Sequence, residues 1–181
     1  MTNYRRSRAK GATFFFTVAL ANRSSALLTR EIDALRLAYA KTLAERPFIC
    51  DAFVVLPDHL HAVWTLPDGD ADFSTRWRLI KARFTRVVWA KMGAEHLSYS
   101  GSSSTRKKRE RGIWQRRFWE HRIRDDQDYS RHVEYCWGNP VKHGLVARAA
   151  DWKHSSIHRD IKAGRVPPEW TVSCAEGAFG E

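Results

Sequence analysis

Two histidines separated by one residue are the first side chains in this sequence that could do chemistry. His59 and His61 flank Leu60. Because side chains two positions apart on a β-strand point to the same face, both imidazoles would project together and Leu60 would project the opposite way. Two neutral imidazoles on one face provide half of a binding site for a divalent metal ion. An isolated His-x-His pair is more often an ordinary polar stretch of a solvated strand, so this spacing alone does not assign a metal site.

A tyrosine on a predicted helix is the second such side chain. Tyr129, Val133 and Cys136 recur at helical spacing and predict a buried stripe. Tyr135 is displaced from this stripe by roughly 120°, whereas Asn139, four residues later, shares the face of Tyr135. The spacing therefore predicts that Tyr129 packs in the core while Tyr135 and Asn139 face a site. Most tyrosines only pack, so this assignment also needs context.

A resemblance to a known family supplies that context. Residues 57–64 (PDHLHAVW), 114–123 (WQRRFWEHRI) and 135–146 (YCWGNPVKHGLV) resemble the HUH single-tyrosine transposases, and most closely the REP-associated tyrosine transposases. The likeness runs from about residue 12 to residue 146. The last of the three segments is the most specific, because so long a combination of Tyr, Asn-Pro-Val and Gly-Leu-Val rarely arises by chance.

The resemblance implies a role for each matching residue. His59 and His61 would be metal ligands, Asn139 would occupy the place of a third ligand that is often Gln in relatives, and Tyr135 would be the nucleophile. Asp58 stands where relatives commonly carry Asn, and it would add a negative charge near the metal. Cys136 stands where an aliphatic residue is usual.

The implied chemistry is cleavage and rejoining of single-stranded DNA. A tyrosine hydroxyl has an ordinary pKa near 10 and needs assistance to act as a nucleophile at neutral pH. A divalent cation bound by neutral ligands keeps most of its charge and can polarise the scissile phosphate. Attack by Tyr135 would give a 5′-phosphotyrosine and a free 3′-OH, which can reverse the step without ATP. Nitrogen and oxygen ligands are compatible with Mg²⁺ or Mn²⁺, and imidazole favours Mn²⁺.

The charge of the chain fits a nucleic-acid partner. The sequence of 181 residues has 31 Lys and Arg against 20 Asp and Glu, a net charge of +11. A basic cluster at residues 106–124 is interleaved with aromatic residues, the combination that single-stranded nucleic acid binding requires. The resemblance further implies hairpin DNA of palindromic repeats. The predicted DNA contacts are Arg78, Arg83, Arg86, Lys107, Lys108, Arg116, Arg117, Trp119, Arg122, Arg124 and Lys142.

The elements that must position these residues follow the order β-α-β-β-α-β and then another helix. Strands are predicted at residues 13–20, 48–56, 59–66 and 114–123, and helices at 29–46 and 72–92. A third helix begins near Asp125 or Asp126 and is expected to end at Gly138-Asn139-Pro140. This order predicts an α+β, ferredoxin-like antiparallel sheet with helices on one face and an added C-terminal helix that carries the nucleophile. We expect one domain over residues 1–150 and an extension or tail over 151–181.

Composition also indicates the setting. No stretch approaches the roughly 20 apolar residues of a membrane span, so no membrane partner is expected. Cys50, Cys136 and Cys174 form no CxxC pair, which favours a reducing, cytoplasmic location over a disulfide framework. Relatives divide between monomers and dimers that share their active sites, and the REP-associated forms favour a monomer here.

Two other functions are compatible with parts of the sequence. A nucleic-acid-binding regulator without catalysis would use the same basic surface, but it would not need His59, His61, Tyr135 and Asn139 together. A zinc hydrolase would use the two histidines, but the chain has no HExxH motif, no CxxC motif and no suitably spaced carboxylate ligand.

Overall fold

The computed structural model describes residues 6–92 and 112–171. The predicted loop at residues 98–111, including the basic residues Lys107 and Lys108, lies outside the described residues. The elements of the described residues are β1 (Thr13–Ala19), α1 (Leu27–Arg30), α2 (Ile32–Glu45), β2 (Ile49–Val55), β3 (His59–Thr65), α3 (Phe73–Met92), β4 (Trp119–Arg122), α4 (Asp126–Lys142), a 3-10 helix (Ala149–Asp151) and α5 (Ile157–Lys162).

The four strands form one antiparallel sheet in the order β2-β3-β1-β4. β1 and β3 are therefore the two central strands, and their register places His61 opposite Thr17 and His59 opposite Ala19. The predicted α+β class with an antiparallel sheet is confirmed, and the described residues follow the order β1, α1, α2, β2, β3, α3, β4. The central position of β3 matters for function, because it supports both histidines with hydrogen-bonded strands on each side.

Successive side chains of β1 separate two hydrophobic cores. Phe14 and Phe16 pack with α1, α2 and α3 on one face of the sheet, whereas Phe15 packs with α4 and α5 on the other. The first core includes Trp64 and Trp77, whose rings stack with centroids 4.1 Å apart. The strand period of two therefore directs α4, the helix that carries Tyr135, to the face occupied by Phe15.

Three predicted elements differ from the structure. The single helix predicted at residues 29–46 is two helices, α1 and α2, separated at Glu31. β4 begins at Trp119 rather than at Trp114, which forms only an isolated bridge to Leu20. The predicted end of the last long helix at Gly138-Asn139-Pro140 is wrong, because α4 continues through Pro140 to Lys142. Proline lacks one backbone N–H, but so near the end of a helix it removes a single hydrogen bond, and the buried packing of this last turn outweighs that loss.

The chain beyond α4 packs on the same domain. Ala149, Ile157 and Val166 are buried in the second core, and the indole N–H of Trp152 donates to the carbonyl of Val55 at 2.9 Å. The residues that the structure describes after position 150 therefore pack against β2. Within the described ranges, none of the helices is both long and apolar enough to span a membrane.

Candidate active site

The two histidines of β3 lie side by side on the face of the sheet that α4 covers. His59 and His61 are 1% and 0% exposed, and their ring centroids are 5.0 Å apart. The Nδ1 atom of each ring contacts a polar side chain. Asp58 Oδ1 lies 2.8 Å from Nδ1 of His59, and Thr17 Oγ1 lies 3.0 Å from Nδ1 of His61. These contacts orient both rings, as the outer partners of metal-binding histidines commonly do.

The donor set at His59 fits a metal ion. Because Asp58 can only accept when ionised, its contact assigns the ring proton of His59 to Nδ1 and leaves a lone pair on Nε2. That Nε2 is buried and has no hydrogen-bond partner among the described residues. Burial lowers the pKa of His59, although the hydrogen bond that its Nδ1–H donates to Asp58 opposes this effect. A neutral imidazole with a buried, unused lone pair is the form that binds a divalent cation.

Tyr135 reaches the same place from α4. Its ring centroid lies 5.2 Å from that of His61. The rings of both residues also contact the ring of Phe15, which projects from β1 toward α4. Asn139 lies one turn later and is 1% exposed. The structure therefore brings Tyr135 to the histidines within a single chain. Tyr129 instead donates a hydrogen bond to Asp51 at 3.2 Å and is only partly buried, whereas Tyr135 is 5% exposed and packs in the second core. The two tyrosines therefore have different partners, but the prediction that Tyr129 is the core residue of the pair is wrong.

Two residues at the end of α4 join the site. Nζ of Lys142 donates to the hydroxyl oxygen of Tyr135 at 3.2 Å and lies 4.9 Å from the centroid of the tyrosine ring. The ring of His143 lies 5.2 Å from that of His59. Sequence reasoning did not place His143, since the helix was expected to end before it. The segment at residues 135–146, which contains both Lys142 and His143, was the sequence feature that could have indicated them.

A group of rings extends from the site toward β4. The ring centroid of His132 lies 4.8 Å from that of Phe15. The His132 ring also stacks on His121, with the two centroids 4.7 Å apart and an angle of 13° between the ring planes. Both histidines contact Asp128, through His121 Nε2 at 2.8 Å and His132 Nδ1 at 3.2 Å. Sequence reasoning found no ligand spacing for these histidines. The group connects the surface near Trp119 with the interior of the site.

The possible ligand atoms of His121, Asp128 and His132 lie within 4.8 Å of one another, a spacing that is also found in metal sites. Because the two rings are stacked and nearly parallel, their nitrogen lone pairs lie in two separate parallel planes, and one ion cannot lie in both planes. Nδ1 of His132 also donates to the main-chain carbonyl of Asp128 at 2.7 Å. Asp128 in turn accepts from the backbone N–H of Arg124 at 3.0 Å. The group is therefore a hydrogen-bonded support for the start of α4.

The predicted DNA contacts divide between the two faces of the sheet. Trp119 and Lys142 are on the face of the histidines, whereas Arg78, Arg86 and Arg116 line a cavity of about 620 Å³ between α3 and the segment before β4. Arg6, Lys81, Trp114 and Phe118 also line this cavity. Arg117, Arg122 and Arg124 are exposed near β4.

Arg83 differs from its neighbours on α3. Its guanidinium donates to Oγ1 of Thr42 at 2.7 Å and pairs with Glu45, and both of these residues belong to α2. Arg83 therefore holds two helices together. In contrast, Lys81 is directed into the cavity, where burial and the nearby Arg6 lower its pKa to about 8. It donates to the carbonyl of Gln115 at 3.1 Å.

Known proteins are similar to this chain over almost its whole length. The chain is 45% identical to the REP-associated tyrosine transposase of Escherichia coli (strain K12), over 100% of this chain and 98% of the relative. It is 44% identical to a Haemophilus influenzae protein provisionally described as a REP-associated tyrosine transposase, over 94% and 93% of the two chains. A solved structure of a REP-associated tyrosine transposase bound to a REP hairpin superposes with a TM-score of 0.85, at 45% identity and over 100% and 98% of the chains. No protein-family model matches the chain.

Proposed function

The chain belongs to the family of REP-associated tyrosine transposases, and we propose that it cuts and rejoins single-stranded DNA next to a hairpin through a covalent bond to Tyr135. The single observation that carries this proposal is the position of the Tyr135 ring, 5.2 Å from that of His61 in the same chain. A nucleophile and a metal-binding pair that meet within one chain support a monomer. The cytoplasmic location expected from the sequence is part of the proposal, because the DNA substrate is there.

His59, His61 and Asn139 would hold the divalent ion, Mg²⁺ or Mn²⁺. When bound, such an ion supplies a positive charge that polarises the scissile phosphate and stabilises the charge on its oxygens. Asp58 and Thr17 keep the two imidazoles oriented through their Nδ1 atoms. These contacts mean that little reorganisation is needed when the phosphate enters.

Tyr135 performs the covalent step in this proposal. Its hydroxyl oxygen attacks the scissile phosphorus while the bond from phosphorus to the 3′-oxygen breaks. The phenolic proton is lost and the 3′-oxygen gains one through solvent, so the products are a 5′-phosphotyrosine and a 3′-OH. The reverse attack by the same or another 3′-OH restores the phosphodiester and frees Tyr135. Packing of the tyrosine against Phe15 and His61 limits the directions its hydroxyl can take, which favours in-line attack.

We assign the DNA surface to exposed cations on both sides of β4. The partner named for the structural relative is a REP hairpin. Arg78, Arg86 and Arg116 would contact backbone phosphates around the cavity on the α3 face, and Trp119 would offer a ring beside the catalytic face. Arg117, Arg122 and Arg124 extend the same positive surface. Arg83 is left out of the interface because its partners lie on α2.

A cleavage assay tests this function. The protein is incubated with an oligonucleotide that folds into a hairpin with single-stranded flanks, with Mn²⁺ and with or without a chelator. We expect strand cleavage that requires the metal. Hairpin binding without cleavage, across hairpins drawn from the DNA flanking the gene, would instead favour the regulator that has lost catalysis.

A further inference from the structure

The contact between Lys142 and Tyr135 suggests a role that the sequence did not predict. Lys142 was expected to contact DNA. In the structure its Nζ lies 3.2 Å from the tyrosine hydroxyl and 4.9 Å from the centroid of the ring. We propose that Lys142 is a catalytic residue, whose ammonium group holds the hydroxyl oxygen of Tyr135 and stabilises the negative charge that develops on it. This inference rests on the proposed function.

The path of α4 explains how the two residues meet. Seven residues in an α-helix correspond to about 700°, so Lys142 lies almost on the face of Tyr135, two turns later. Long side chains in helices lean toward the N-terminus, which directs the lysine back along this face. The contact exists only because α4 continues through Pro140 to Lys142. A helix that ended at Gly138 would leave the lysine without a defined direction.

Both cleavage and rejoining are assisted by a positive charge close to the phenolic oxygen of Tyr135. In cleavage, negative charge grows on the phenolic oxygen as its proton leaves and before the bond to phosphorus is complete. In rejoining, the same oxygen is the leaving group and again gains charge as its bond to phosphorus breaks. An ammonium group 3.2 Å away stabilises the charge at both stages. His59 and His61 would act through the metal on the phosphate, so Lys142 acts on the other reacting atom.

The position of Lys142 also distinguishes it from a DNA contact. The side chain belongs to an exposed residue at the end of α4, yet its Nζ lies at the reacting oxygen of a tyrosine that is only 5% exposed. The DNA-contact assignment predicts lost affinity and a reduced salt dependence when the charge is removed. The catalytic assignment predicts a slower covalent step with the DNA still bound. These two outcomes are measured separately.

The experiment compares Lys142→Met and Lys142→Gln with Lys142→Arg and with Lys41→Met, an exposed lysine on α2. The full chain is mixed in excess with a labelled hairpin oligonucleotide and Mn²⁺, and the rate of covalent adduct formation is measured at saturating protein. Hairpin affinity is measured at several salt concentrations by fluorescence anisotropy without metal. Thermal unfolding midpoints confirm that each variant is folded.

We expect both uncharged variants to form adduct about 100-fold more slowly, with hairpin affinity and its salt dependence unchanged. Lys142→Arg should retain a rate within about tenfold of wild type, and Lys41→Met should match wild type. A saturating rate within tenfold of wild type in Lys142→Met and Lys142→Gln would overturn the inference, whatever the affinity. Absence of adduct with wild type itself would instead refute the proposed function.

Discussion

Asp58 Oδ1 lies 2.8 Å from Nδ1 of His59, and the other carboxylate oxygen of Asp58 pairs with Nε of Arg23 at 2.6 Å. The carboxylate thus orients an imidazole whose Nε2 is buried without a partner among the residues described. The family resemblance leads us to expect Asn at this position. Both Asp and Asn offer an oxygen to the N–H of the imidazole, so the geometry accounts for either residue.

Removing this oxygen should weaken metal binding. We expect Asp58→Ala to lower the affinity for Mn²⁺ by about 10- to 100-fold, because the ring of His59 loses the partner that orients it. Asp58→Asn is the matched control and should stay within a few-fold of wild type, since its amide oxygen can accept the same hydrogen bond. Isothermal titration calorimetry measures both affinities. Equal affinities for Asp58→Ala and wild type would show that Asp58 does not support the metal site.

Asp128 should stabilise the fold in a pH-dependent manner. Burial raises its pKa, but hydrogen bonds from His121 and from the backbone N–H of Arg124 outweigh this effect and lower the pKa to about 2. A lowered carboxyl pKa gives a stabilisation that is present above the unfolded value, about 3.9, and is lost as pH falls toward about 2. We expect Asp128→Asn to lose about 1–2 kcal/mol of unfolding free energy at pH 7, and less below pH 4.

Urea unfolding from pH 7 to pH 3 measures this difference. Asp126→Asn changes an exposed carboxyl group in the first turn of the same helix and should alter the unfolding free energy by less than about 0.5 kcal/mol. A difference between Asp128→Asn and wild type that stays constant across this pH range would show that the charge of Asp128 is not what stabilises α4.

Arg76 should matter for stability rather than for DNA binding. The side chain is 2% exposed and donates to the carbonyls of Arg46, Pro47 and Asp72 and, at 2.7 Å, to the carboxylate of Asp70. We expect Arg76→Met to lose about 3 kcal/mol of unfolding free energy in urea, because several buried acceptors lose their donor. Arg78→Met, two residues later and exposed, should have almost no effect on unfolding. Similar losses in the two variants would contradict this division.

The exposed arginines of α3 should matter for DNA binding rather than for stability. Arg78→Ala and Arg86→Ala should each reduce hairpin affinity and lower the slope of log affinity against log salt by about 1, the change expected for one lost phosphate contact. Fluorescence anisotropy over a range of salt concentrations measures this slope. Lys41→Ala on α2 is the control for the loss of one exposed charge. An unchanged slope for both arginine variants would exclude the α3 face from the DNA interface.

The sequence predicted the parts of this site that depend on local periodicity. Strand alternation placed His59 and His61 on one face. Helical phase gave Tyr129 and Tyr135 different partners, but Tyr135 rather than Tyr129 is the more buried of the two. The contact of Lys142 could not be predicted, because Gly138 and Pro140 are ordinarily signals for the end of a helix and only the packing of α4 on the sheet carries it past them.

The roles of the arginines on α3 were also hard to predict, because they too depend on tertiary packing. The sequence shows that Arg76, Arg78, Arg83 and Arg86 are charged, but not which partners they meet. Arg76 is satisfied by main-chain carbonyls and Arg83 by α2, whereas Arg78 and Arg86 are exposed at the cavity. These differences depend on how α2 and α3 pack against each other. They become visible only when the tertiary structure is known.

The measurement that tests the account most directly is the mapping of the covalent adduct. The protein is incubated with Mn²⁺ and a hairpin oligonucleotide that carries single-stranded flanks, and the digested product is analysed by mass spectrometry. We expect a nucleotide fragment attached to the peptide that contains Tyr135, and no adduct with Tyr135→Phe, although that variant should bind the hairpin with wild-type affinity. An adduct on another residue, or an adduct formed by Tyr135→Phe, would contradict the assignment of Tyr135 as the nucleophile.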